Sequence, residues 1–556
     1  MEKEKSTSVD DTIMHVERSD DIRRGSTTSA HLQTQEPVWK TRRTYTKSGI
    51  GGIFTSRYVF MCALFATLGG MLFGYDQGVV SITLVMPQFL EQFPDIAETA
   101  PGSGFKKGLM TAILELGAFV GAMNQGWLAD KISRKWSIFT AGVIFLIGAA
   151  LQTGAISFAM LTVARFIGGI GVGMLAMVAP LYISEISPPE IRGTLLVLQE
   201  LCIVVGIVIA FYITYGTRHL AGHWAWRLPF LIQMLPALIM CSGIFMLPYS
   251  PRWLCQKGAS GRIRQLPTTD ERVLEEWNDI RAECAYREEL SVEKHPLLSQ
   301  PGRWNAIKLQ ISLYVDCWKM PIYKRTQVAV GLMFFQQFVG INALIYYSPT
   351  LFKTMGLDYE MQLTLSGVMN ICQVVGCIWS LWGMDRFGRR KLLLWGSVCM
   401  FVSHFIIAVL VGKYDGQWPT HKAAGWASAG FLLFFMLTFG GTWGPIPWAM
   451  PAEIFPSSLR AKGCAFGTMS NWGNNFIIGL VTPPMIQNIK FGTYIFFCCF
   501  CALSFVWVYF LVPETNGRTL EQMDSVFNDK TTAQETQRRA AIMARLTGEH
   551  DSEGSP

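Results

Sequence analysis

From residue 58 to residue 512 the chain alternates long apolar runs with polar breaks, and this alternation constrains its fold more than any other feature. A run of about 20 apolar residues is the length of helix that crosses a bilayer's hydrocarbon. Such runs lie at 58–84, 108–128, 137–154, 160–183, 194–215 and 228–247, and again at 326–348, 363–383, 392–412, 426–450, 463–486 and 493–512. Backbone in hydrocarbon must satisfy its own hydrogen bonds, so each run is expected to be helical. Half of the residues are hydrophobic and only 16% are charged, against about 25% in soluble domains. That composition excludes a soluble enzyme. The expected fold is an all-α membrane protein with twelve transmembrane helices.

The longest polar break divides the runs six and six. Residues 1–56 are polar, contain no signal-peptide core and read as a disordered tail. A first bundle is expected over 57–250, a linker with short helices over 251–325, a second bundle over 326–513 and a charged tail over 514–556. Arg and Lys concentrate in the N-terminal tail, in the linker and in the breaks after the second and eighth runs, so both termini and the linker are expected to be cytoplasmic. The net charge of +7 is carried by loops and tails and implies no nucleic-acid partner. The thirteen cysteines follow no metal-binding spacing, and most lie in apolar runs, as buried free thiols do.

The two bundles repeat each other. "DKISRK" from Asp130 matches "DRFGRR" from Asp385, "EISPPEIRG" from Glu185 matches "EIFPSSLRAKG" from Glu453, and "PYSPR" from Pro248 stands where "PETNG" follows from Pro513. Three motifs in one order at nearly one offset indicate two homologous halves. Each half therefore carries acids and bases on the same ends of its helices: Asp130, Arg134, Lys135, Glu185, Arg192 and Arg252 in the first, and Asp385, Arg389, Arg390, Glu453, Arg460 and Glu514 in the second. Ion pairs between these ends are expected to hold the halves together on the cytoplasmic side. At about 0–1 kcal/mol each, such pairs suit a latch that opens in every cycle.

Several polar residues lie inside the apolar runs. Gln199, Gln336, Gln337, Asn342, Asn370, Asn471 and Asn475 are amides at membrane depth, and Trp448 follows "GPIP", whose prolines are expected to break the tenth helix. Gly340 is placed to let the seventh unwind. Amides both donate and accept, and with an aromatic plate they suit a ring of hydroxyls. Two charges of opposite sign, Asp76 and Arg165, fall in the first and fourth runs, and Glu115 is a further acid in the second. A lone charged side chain at the bilayer centre costs roughly 2.5–3.5 kcal/mol, so Asp76 and Arg165 are expected to neutralise each other. "GGIGVG" (168–173) lacks the spacing and the preceding strand of a phosphate cradle. Its glycines four apart, like Gly117 and Gly121, suit close helix packing.

Together "GYDQG" (74–78), "DKISRK", "ARFIGGIGVG" (164–173), "EISPPEIRG", "QQFVGINALIYYSP" (336–349), "DRFGRR", "GPIPWAMPAEIFP" (444–456), "SNWGNNF" (470–476) and "PETNG" resemble a sugar porter of the major facilitator superfamily, most closely in its fungal style. The resemblance implies two six-helix halves with cytoplasmic helices between them, in a multi-pass plasma-membrane protein that works as a monomer. It implies sugar contacts at Phe73, Gln199, Gln336, Gln337, Asn342, Asn370, Trp448, Asn471 and Asn475, with an outer gate at Tyr346 and Tyr347. It implies a proton carrier at Asp76 partnered by Arg165, with no cofactor beyond the coupling proton, and it gives Glu115 no role. The expected activity is import of a sugar, such as glucose, with a proton. The alternatives are a facilitative uniporter and a sugar sensor, the latter disfavoured by the short C-terminal tail. Two positions depart from the pattern: Ser133 stands where the family usually has Gly, and Tyr249 where it usually has Glu. The second departure leaves Arg252 without its usual acid, and a lopsided latch is expected.

Overall fold

The protein is described from a computed structural model that covers residues 57–97, 99–187, 192–256, 271–298, 302–456, 458–516, 523, 526, 527 and 531–553. The N-terminal tail lies outside these residues. Among them there is no strand, and the apolar runs are helices. Spans 1 to 5 are Arg57–Thr83, Ser103–Ile132, Arg134–Thr153, Phe158–Ile186 and Arg192–Thr217. Span 6 is Trp224–Ile232 continued by Met234–Gly243, and span 7 is Tyr323–Phe338 continued by Ile341–Thr354. Spans 8 and 9 are Tyr359–Phe387 and Arg389–Tyr414. Span 10 is Lys422–Gly441 with Ile446–Ile454, and spans 11 and 12 are Arg460–Asn488 and Gly492–Leu511.

The ends and breaks have local causes. Ser157 and Asp358 cap spans 4 and 8 by accepting the backbone N–H of Met160 and Met361. Span 7 breaks at Gly340, whose φ of +98° is a left-handed conformation that glycine adopts without a steric penalty. Span 10 breaks before Pro445 and Pro447, as the two prolines require.

Ten helical stretches among the described residues are long and apolar enough to cross a membrane by composition alone. Spans 2 and 11 fall short of that measure, and they pack against each other across the two halves. The glycines of span 4 allow an equally close approach to span 2. A Cβ on Gly169 would sit 2.0 Å from the carbonyl oxygen of Leu114, and one on Gly173 would sit 1.9 Å from that of Ala118.

Among the described residues, three helices follow span 6 in the linker: Pro251–Gln256, Glu271–Lys294 and Arg303–Asp316. A last helix, Thr531–Glu553, lies along Glu271–Lys294. Ile542 packs on Ala282 and Tyr286 between these two helices, and ion pairs join Arg538 to Glu293 (2.5 Å) and Arg545 to Glu289 (2.6 Å).

Candidate functional site

A cavity of about 710 Å³ opens at the end of the bundle that carries Asp130, Arg134, Asp385 and Arg389, and reaches inward to Met333, Trp448 and Thr468. The opposite end is closed by bonds between the first six spans and the last six. The Gln77 amide donates to Asn342 (3.2 Å) and to the Tyr346 hydroxyl (3.1 Å), and Ser81 meets Ser348 at 3.1 Å. The Tyr346 hydroxyl donates to Glu115. At the rim Arg218 grips Glu360 through two bonds of 2.9 and 2.7 Å. Tyr347, the other expected gate residue, donates to the Gly479 carbonyl at 2.7 Å and so closes span 7 on span 11 within its own half.

Asp76 and Arg165 meet inside the bundle, 3.3 Å apart and each only 1% exposed. The guanidinium faces both carboxylate oxygens, and its Nε donates to the Met110 carbonyl at 2.8 Å, so Arg165 ties span 4 to spans 1 and 2.

The expected sugar contacts do not converge on one open cavity. Phe73, Gln199 and Trp448 line a narrow pocket of about 50 Å³, and of the nine only Trp448 also lines the large cavity. Phe73 lies edge-on to Trp472, 4.7 Å between ring centres. The remaining amides are largely occupied by other protein groups. Gln336 donates to the carbonyls of Trp443 and Gly444 (both 2.9 Å) and accepts from Asn471 (2.7 Å). Asn342 donates to Gln337. Asn475 is buried beside the Tyr346 hydroxyl. Oxygen atoms of Gln199 and Asn370, and both amide atoms of Asn475, are buried without a hydrogen bond.

The charged ends form two separate clusters instead of the expected latch between halves. In the first, Arg134 binds Glu185 (3.0 Å) and Asp130 (3.1 Å), and Glu185 also accepts from Ser250. In the second, Arg389 binds Asp385 (3.2 Å) and Glu453 (3.1 Å). The large cavity lies between them, so no ion pair among the described residues crosses at this face. The charged bond between halves is Arg218–Glu360, at the opposite end. Four residues differ from the expectation individually, among them Arg390, whose guanidinium donates to the Tyr509 carbonyl. Lys135 donates to the carbonyls of Phe245 and Leu247 instead of pairing with an acid. Glu514 accepts the backbone N–H groups of Arg389 and Arg390 as an N-terminal cap. Arg460 donates to the Phe455 carbonyl. The side chain of Arg192 lies outside the described residues.

Arg252 does have an acid. Glu283 of the Glu271–Lys294 helix binds it at 3.1 Å and binds Arg287 as well. Burial pushes the Glu283 carboxyl up, but Arg287 and Arg252, with Arg539 and Arg460 farther off, outweigh that and hold it at about 2. Tyr249 stacks on Trp253 and accepts the Trp136 indole N–H. The first half thus borrows from the linker the acid that Tyr249 lacks. Nothing local to "PYSPR" signals that substitution, because its partner lies some thirty residues further on in a polar helix. Gln77, by contrast, was visible as an amide beside Asp76 in "GYDQG".

The family described as Sugar (and other) transporter matches residues 62–527. The chain is 32% identical to Sugar transport protein 13 of Arabidopsis thaliana, over 84% of this chain and 88% of that protein. It is 32% identical to a probable quinate permease of Aspergillus fumigatus, over 85% and 88%. Among solved structures it resembles the proton:xylose symporter XylE bound to 6-bromo-6-deoxy-D-glucose, with a TM-score of 0.68 and 25% identity over 85% of this chain and 99% of that one. It also resembles a partially occluded inward-open form of XylE from E. coli, with a TM-score of 0.64 and 25% identity over 84% of this chain and all of that one.

Proposed function

The chain belongs to the sugar transporter family of the major facilitator superfamily, and from that membership we propose that it imports a sugar together with a proton by alternating access. A monosaccharide such as glucose is the proposed cargo. The six-helix halves, 57–250 and 326–513, rock about a central site in a monomer at the plasma membrane. Both termini and the open cavity face the cytoplasm, and no cofactor is needed beyond the proton.

The observation that carries this reading is the buried Asp76–Arg165 pair. Facing outward, Asp76 takes a proton and releases Arg165, which favours sugar binding and closure. Facing inward, the proton leaves, the pair re-forms and the carrier resets. One proton crossing 100 mV supplies about 2.3 kcal/mol. One pH unit adds about 1.4 kcal/mol. Together these sustain a sugar gradient on the order of a few hundredfold. The amides Gln199, Gln336, Gln337, Asn342, Asn370, Asn471 and Asn475, with Phe73 and Trp448, receive the sugar once their mutual bonds open.

The test is uptake by proteoliposomes under an imposed pH gradient. The wild type is expected to accumulate sugar and to lose the accumulation on adding a protonophore. Asp76→Asn is expected to exchange sugar without accumulating it. Accumulation by the variant at the wild-type level would refute the coupling role. A wild type that only equilibrates sugar, with or without the protonophore, is a uniporter in which the pair is a structural tie.

A further inference from the structure

Glu115 is an acid buried within span 2 close to the Asp76–Arg165 pair, and the proposed cycle leaves it unused. Its side chain is 1% exposed. Oε1 accepts the Tyr346 hydroxyl from the other half of the molecule, and Oε2 has no hydrogen-bond partner. Arg165 is tied to the same helix through the Met110 carbonyl. The ionisable groups facing Glu115 are Asp76 on span 1, Arg165 on span 4, and Tyr346 and Tyr347 on span 7. Lys107 lies two turns away on its own helix, and the ionisable residues of span 11 lie at that helix's far end. Asp76 holds the Arg165 guanidinium, and Glu115 lies within its electrostatic reach in a buried site. An uncompensated charge is costly there, and one proton makes the group neutral.

We propose that Glu115 is a second proton-binding residue of the transport cycle, holding on Oε2 the proton that it passes to Asp76 when the Asp76–Arg165 pair opens. The inference rests on the proton-coupled reading and deepens it. When the pair opens, the O–H bond at Glu115 breaks and one forms at Asp76. Glu115 is then the anion that balances Arg165 until it takes a new proton from the outer side, and facing inward Asp76 releases its proton to the cavity as the pair re-forms, so one proton crosses per cycle. The proton also reaches the gate. The Tyr346 hydroxyl binds an ionised Glu115 more strongly than a neutral one, so proton arrival loosens a bond between the two halves.

The test uses Glu115→Gln and Glu115→Asp in proteoliposomes. Gln keeps the size and an acceptor for Tyr346 but cannot carry a proton, whereas Asp is shorter and can. Glu115→Gln is expected to lower the accumulation ratio at least tenfold while sugar exchange stays measurable, and Glu115→Asp is expected to retain accumulation. The reverse order, Gln active and Asp inactive, would identify a packing or hydrogen-bonding role and overturn the proposal. Infrared difference spectra give an independent readout. A protonated-carboxyl band at neutral pH is expected in the wild type and is expected to vanish in Glu115→Gln. Should Glu115→Gln fail to fold, the band must shift in Glu115→Asp, and an unmoved band overturns the proposal. A wild type that never accumulates sugar defeats the parent reading. A wild type that does, with Glu115→Gln matching it, defeats this one alone.

Discussion

Ser133 and Gly388 hold corresponding places in the two halves, at the turn between spans 2 and 3 and the turn between spans 8 and 9. Both have φ of 88°, with ψ of 157° and 158°. That region is essentially reserved for glycine and costs a residue with a Cβ about 1–3 kcal/mol. Ser133 recovers part of the cost by accepting the Trp136 N–H at 3.3 Å, and replacing such a cap with Gly loses only a few tenths of a kcal/mol. Ser133→Gly is therefore expected to stabilise the protein by about 1 kcal/mol or more, read as a higher midpoint of thermal unfolding in detergent. A lower midpoint would mean that the capping bond outweighs the strain. The same residue scale separates what the sequence discloses from what it withholds. Asp76 and Arg165 were expected to pair because each was a charge with nothing else to neutralise it. The occupants of the Gln336 and Asn342 amides were hidden. An amide in a span bonds equally well to a sugar, a carbonyl or another amide, and periodicity does not distinguish these partners.

At the scale of elements, helix positions were legible because hydrocarbon allows a run of apolar residues few other conformations. The interruptions at Gly340 and at Pro445 with Pro447 were legible for equally local reasons. The linker was not, since the contacts of a polar helix depend on tertiary partners. Glu283 illustrates the consequence. It joins Arg252, at the end of the first half, to Arg287, and lies within electrostatic reach of Arg539 on the last helix. Its folded value of about 2 lies below the ordinary 4.5. The stabilisation is thus fully present above about 4.5 and is lost as pH falls from there through 2. A shift of this size corresponds to something on the order of 3 kcal/mol. Acidification from pH 6 to pH 3 is expected to release the Thr531–Glu553 helix, seen as faster amide exchange there while the spans stay protected. Glu283→Gln is expected to show the fast exchange already at pH 7. Equal protection in the variant and the wild type would show that the Ile542 contact with Tyr286 and the Arg538–Glu293 and Arg545–Glu289 pairs dock that helix without Glu283.

For the whole molecule, the contrast between the two ends decides how the halves move. At one end Gln77, Ser81, Arg218 and Glu115 bond across to Asn342, Tyr346, Ser348 and Glu360. At the other, each charged cluster closes on itself around a cavity of about 710 Å³. The sequence disclosed the duplicated charged motifs but not which end was joined. Residues that bond across an open end and residues that bond within a half have the same composition, and the choice between them is a property of the state. If the halves alternate, the bonds at the closed end break as the cavity closes. Cys464 reads that event directly because its side chain lines the cavity wall on span 11. In a variant with every other cysteine replaced, a membrane-impermeant maleimide is expected to label Cys464 from the cavity side and not from the opposite side. Conditions that draw the carrier to the other state, sugar and acid pH on the closed side, are expected to slow labelling several-fold. Asp76→Asn, with Arg165 left unpaired, is expected to lose that response to acid. Labelling at one rate under all conditions would mean that the cavity does not close during turnover, and a fixed cavity cannot be one half of an alternating pathway.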